Sequence, residues 1–109
     1  MQLTSFLQNG QLTIALSGEI DHHRAKRYIQ SIESKIQVYT PTVCILDFRD
    51  VSFMDSSGIG VLLGRVRELQ ARGGTLSVQN MQPSVEKLFR LSGLNRVIGI
   101  IHPTKGGRL

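Results

Sequence analysis

The chain has 109 residues, a net charge of +5 and a pI near 10. That length supports one domain, which buries about 65% of its unfolded surface and needs no covalent staple. Its proportions, 40% apolar and 19% charged, exclude a disordered or fibrous chain. A single cysteine, Cys44, excludes an internal disulfide and a thiolate zinc site. No N-terminal apolar core of a signal peptide and no apolar span of about 20 residues are present, so the expectation is a cytoplasmic protein without a membrane segment. The basic balance permits an acidic partner, but placement says more. Glu19, Asp21, Asp50 and Asp55 crowd two short connecting segments, and no acid follows Glu86. The chain therefore reads as an acidic end on a basic body.

Leu3–Leu7 and Gln11–Ser17 flank Asn9-Gly10, the pair a type I′ hairpin turn demands because both central residues need positive φ. Leu12, Ile14 and Leu16 alternate with polar or small residues, so one face of the second strand is buried. Gly18-Glu19-Ile20-Asp21 is expected to end that strand, with Asp21 capping a helix. Ala25, Ile29, Ile32 and Ile36, with Tyr28 beside them, form that helix's apolar stripe, and the helix stops before Pro41.

Thr42–Phe48 reads as a central strand, parallel to the previous one through a right-handed crossover. Cys44 is a small hydrophobe within it. A second helix is expected from about Ser57, with Ile59, Leu62, Leu63, Val66 and Leu69 buried. Arg65, Arg67 and Arg72 fall outside this stripe, and Glu68 and Arg72 have ion-pair spacing. Gly60 and Gly64 suggest close packing on the sheet. Gly73-Gly74 ends the helix. Thr75–Val78 is a short strand. Pro83 opens a third helix that turns Val85, Leu88 and Phe89 inward, and Gly93 with Leu94 closes it. Val97–Ile101 is the last strand, and 102–109 is expected to be a loose tail. The class is α/β: one domain over 1–109, a mixed sheet with an N-terminal hairpin and helices mainly on one face.

The loops after Ser17 and Phe48 both leave the C-terminal ends of parallel strands, so Asp21 should neighbour the Asp55-Ser56-Ser57-Gly58 turn. A hydrolase elbow would need Gly-x-Ser-x-Gly and a histidine base; here Met54 and Asp55 precede the serines. His22 and His23 point about 100° apart on a helix and lack metal-site spacing. No phosphate-binding glycine loop is present, and Asp21 and Asp55 would repel a nucleotide, so no cofactor is expected. Six aromatics and no helix-turn-helix pattern argue against nucleic acid. A modified serine remains. If Ser57 caps the second helix, Ser56 lies just outside it with a free hydroxyl. A phosphate there adds about −1.5 to −2 charges, which a helix N-terminus tolerates. Ser57 stays open as the modified residue on these grounds alone.

Glu19-Ile20-Asp21-His22-His23, the run Val51 to Arg65 and Leu88-Phe89-Arg90-Leu91-Ser92-Gly93-Leu94 together resemble the STAS-domain anti-sigma factor antagonists, those of the bacterial sporulation pathway in particular. The likeness runs from about Gly18 to Ile100. It implies a non-enzymatic regulator whose unphosphorylated form binds an anti-sigma factor that is also a serine kinase, so freeing a sigma factor. The kinase holds the ATP or ADP. It phosphorylates the first serine of the turn, here Ser56; binding is then lost until a serine phosphatase restores it. The implied partner surface comprises Asp21, His22, His23, Asp55, Ser56, Ser57 and Gly58, with neither metal nor membrane involved. The alternative is a STAS interaction module of a signalling scaffold or lipid-transport complex.

Overall fold

A computed structural model describes residues 3–102. The tail expected over 102–109 therefore lies, apart from His102, outside the described residues. The elements run β1 (Thr4–Gln8), β2 (Gln11–Ile20), α1 (Ala25–Tyr39), β3 (Val43–Met54), α2 (Ser56–Gln70), β4 (Thr75–Gln79), α3 (Pro83–Leu91), a short 3₁₀ turn (Leu94–Arg96) and β5 (Gly99–Ile101). The sheet order is β1-β2-β3-β4-β5. β1 pairs antiparallel with β2, and every later pair is parallel. Asn9 and Gly10 both take positive φ, 53° and 77°, as the hairpin required.

Three right-handed crossovers stepping in one direction put all three helices on one face. Leu12, Ile14 and Leu16 of β2, Cys44, Leu46 and Phe48 of β3, and Leu76 and Val78 of β4 share one buried cluster with them. Tyr28, Ile32 and Ile36 of α1, Val61, Leu62, Val66 and Leu69 of α2, and Val85 and Phe89 of α3 supply its helical side. Cys44 is fully buried, and burial pushes its thiol up to about 12, an inert group in a strand. α1 ends on Thr40 in the left-handed region, directly before Pro41. Gly93 at φ +84° closes α3 and turns Leu94 into the core.

The structure corrects five expectations about strand ends, burial and pairing. β2 does not end at Ser17 and β3 does not end at Phe48. Both run on, to Ile20 and Met54, as paired strands. Two register shifts, between Ala15 and Ser17 and between Gly18 and Glu19, each place an extra residue in β3; they return Val51 and Met54 to the core, while Ile20 shares the face of Leu12, Ile14 and Leu16 by simple alternation. Gly18 takes φ +97°, and the Tyr28 hydroxyl donates to the Ser17 carbonyl across this irregularity, tying α1 to it.

Arg65 is not outside the buried stripe. It is 7% exposed and lies between α1 and α2, where Nη2 pairs with Glu33 at 3.0 Å and Nε with Glu68 at 3.2 Å. Glu68 is thus committed to Arg65, not to Arg72, which reaches the Ile36 carbonyl instead. Gly60 and Gly64 have open space where a Cβ would stand, so close packing does not explain them. The packed glycine of α2 is Gly58: a Cβ there would fall 2.2 Å from Met54 Cγ and 3.2 Å from Ile20 Cγ2.

Candidate functional site

β3 passes into α2 through a single residue. Met54 is buried at the end of the strand, Asp55 has extended backbone, and Ser56 is already helical. The cap differs from the expected one. The Asp55 carboxylate accepts the Ser57 N–H at 2.8 Å, so an acid and not a serine satisfies the first turn. Ser56 is consequently the first residue of the helix instead of lying outside it. Both serines are released from capping, and among the described residues neither hydroxyl makes a hydrogen bond. Ser56 is exposed, whereas Ser57 is half-buried.

The corner's backbone is held from beneath. Gly58 allows the first turn of α2 to sit directly on Met54 and Ile20. The Gly58 N–H donates to the Asp55 carbonyl at 3.0 Å. The Asp55 N–H donates to the Ile20 carbonyl at 3.3 Å, extending the β2–β3 ladder by one step. Asp21 follows Ile20, so the register sets the two acids side by side, as the topology required.

Asp21 does not cap α1 itself. Its Oδ1 accepts the Arg24 N–H at 2.9 Å, and its carbonyl accepts the N–H of Ala25, so it closes the turn that precedes the helix. His22 and His23 occupy that turn, exposed, with their rings edge to face at 5.7 Å. The same neighbourhood therefore holds Asp21, His22 and His23 from one loop and Asp55, Ser56, Ser57 and Gly58 from the other. Glu19 and Asp50 lie at the same sheet end, on the paired ends of β2 and β3.

Arg24 and Phe53 were not singled out from the sequence. The Arg24 Nη1 meets Asp21 Oδ2 at 2.6 Å and Glu19 Oε1 at 3.3 Å, placing a cation inside the acidic end. Its signal was the three-residue spacing from Asp21. Phe53 is 47% exposed and pairs in register with Glu19, because strand alternation turns it away from buried Met54. Burial pushes the Asp21 carboxyl up, but the Arg24 N–H, the Arg24 guanidinium and His23 together hold it below the usual aspartate value. Among the described residues no cluster of three or more His, Cys, Asp or Glu side chains could hold a metal ion, and no helix is long and apolar enough to cross a membrane.

A mixed sheet with helices on one face, ending in a serine at a strand-to-helix corner, is the architecture of a STAS domain. Residues 6–106 match that family, and the chain belongs to it. Within it the chain belongs with the anti-sigma factor antagonists. It is 42% identical over 83 residues to an anti-sigma F factor antagonist of Lysinibacillus sphaericus, covering 76% of this chain and 71% of that one. It is 34% identical over 100 residues to the anti-sigma F factor antagonist of Paenibacillus polymyxa, covering 92% and 86%. Among solved structures it is similar to the anti-sigma factor antagonist SpoIIAA in its unphosphorylated form, with a TM-score of 0.78 and 35% identity over 96% of this chain and 90% of that one. The phosphorylated form of Bacillus SpoIIAA matches with a TM-score of 0.71 and 34% identity over 96% and 94%.

Proposed function

We propose that this protein is a phosphorylation-controlled antagonist of an anti-sigma factor, working by binding and not by catalysis. In its unphosphorylated form it docks, through the corner around Ser56, on an anti-sigma factor that is also a serine kinase, and the sigma factor is displaced. The kinase, which holds the adenine nucleotide, transfers phosphate to Ser56, and the complex parts. A serine phosphatase resets the cycle in the cytoplasm.

The observation that carries this reading is the state of Ser56: exposed, without a hydrogen bond among the described residues, and relieved of capping by Asp55. Such a hydroxyl is accessible to a kinase at no cost to the fold. Phosphate would add about −1.5 to −2 charges beside Asp21 and Asp55. A partner surface shaped for a neutral hydroxyl then meets a dianion that must be stripped of water. The helix scaffold is untouched, because the positive end of α2 tolerates the anion. His22, His23 and the exposed Phe53 ring lie on the two segments that meet at this corner and serve as contact residues, and an exposed aromatic is a common interface anchor.

The test is incubation with an anti-sigma F-type kinase and ATP, followed by mapping of the phosphate by mass spectrometry. One phosphate on Ser56 is expected. Ser56→Ala should bind the kinase and resist modification, and Ser56→Asp should bind at least about tenfold more weakly. Equal binding by all three forms, or modification of Ser57 alone, overturns the assignment.

A further inference from the structure

We propose that Arg24 is the counter-cation for a phosphate on Ser56, an assignment that rests on the switch just described. The corner around Ser56 is a hostile place for a dianion: Glu19, Asp21 and Asp55 already lie there, with Asp50 at the same sheet end. Arg24 is the one cation ion-paired into this group among the described residues. His22 and His23 share its turn but make no ion pair among the described residues.

The guanidinium is only partly used. A guanidinium carries five N–H donors in a planar fork. Arg24 meets both of its carboxylates through the single nitrogen Nη1. Nε and Nη2 have no hydrogen bond among the described residues, which leaves three donors on the side of the fork suited to a bidentate acceptor. A phosphate presents three acceptor oxygens to that edge.

Position favours the same partner. The turn closed by Asp21 folds Arg24 back so that its guanidinium reaches Glu19, which pairs in register with Phe53, three residues before Ser56. The Asp55 N–H bond to Ile20 then draws the start of α2 against this turn. The Arg24 side chain is also half exposed, at 48%, so its unused edge faces solvent and not a packed core. On this account the phosphate arrives where a cation is already held by two acids. Arg24 bridges the β2–α1 turn to α2 in the phosphorylated state only, and it moderates the charge that the corner displays.

The test uses the full chain with phosphoserine installed at position 56 during translation, so that no kinase is needed. The ³¹P shift is followed against pH. The second ionisation of phosphoserine lies near about pH 6, and a guanidinium in contact lowers it. Arg24→Gln should raise that value by about half a unit, roughly a threefold gain in proton affinity. Arg72→Gln removes the same charge at the far end of α2 and should leave the value within about 0.1 unit. An unmoved value in Arg24→Gln, or an equal rise in Arg72→Gln, overturns the assignment. The two readings fail separately. A kinase that never modifies Ser56 removes the switch but leaves this titration intact, whereas a flat titration removes Arg24 and leaves the switch.

Discussion

Two arginines in this protein are each held by two carboxylates, and they do opposite things. Arg65, 8% exposed in its side chain, clamps α1 to α2 through Glu33 and Glu68. Arg24, 48% exposed, clasps Asp21 and Glu19 at the loop edge. The chemistry is the same; the surroundings differ. In the clamp, low dielectric and packing make every lost partner costly, and its Nη1 is already buried without a hydrogen bond among the described residues. In the clasp, water replaces any partner that leaves. A fold can therefore rearrange charges at the corner without loosening, which is what a surface switch requires.

The sharpest way to break this contrast is to delete both arginines and compare. Arg65→Ala leaves Glu68, 16% exposed, without its cation and opens space between two helices. It should lower unfolding stability by about 2–4 kcal/mol in urea titrations. Arg24→Gln, by contrast, should leave the urea midpoint within error of the parent. Equal losses would mean that the corner is structural and not available for regulation.

Next in size is Gly58→Ala. The corner's side chains are free, but its backbone is locked on Met54 and Ile20. The added methyl collides with Met54 Cγ and should cost about 1–3 kcal/mol by the same measurement. Gly60→Ala and Gly64→Ala enter open space in the same helix and should each stabilise by about 0.5–1 kcal/mol. Should all three behave alike, the packing account of Gly58 is wrong.

The smallest effect concerns pH. The folded Asp21 carboxyl sits below its ordinary value of 3.8. Its contribution is therefore complete above the unfolded value and is lost as pH falls through the folded one. An Asp21→Asn variant should differ slightly from the parent near pH 7, and the difference should vanish on acidification below pH 3.8. A difference that grows toward acid would reverse the sign and disprove the clasp.

Much of the fold was legible because its signals are local. Asn9-Gly10 named the hairpin, Pro83 opened α3, and the spacing of Ala25, Ile29, Ile32 and Ile36 with Tyr28 beside them marked the face of α1, whose fully buried members are Tyr28, Ile32 and Ile36. Strand lengths were harder to read. Arg49 to Phe53 reads as a polar connection because two extra residues interrupt its alternation, leaving buried Phe48, Val51 and Met54 three apart among polar neighbours and Phe53 outward, and pairing with β2 is what makes it a strand. The cap on α2 was misjudged for a related reason. Serine and aspartate both suit the position, and only the backbone geometry at Asp55 selects the acid.

The sequence by itself determined the order of elements, the strand-to-helix corner carrying Ser56, and the meeting of Asp21 with Asp55. Periodicity, turn residues and the handedness of crossovers are properties of short stretches and of chain direction. Only the tertiary structure decided that Arg65 is buried and Arg24 is not, that Gly58 is the packed glycine, and that both serines are free. Each of these depends on what a distant segment brings to the same place — Glu33 to Arg65, Ile20 to Gly58 — and such contacts leave no mark on local spacing.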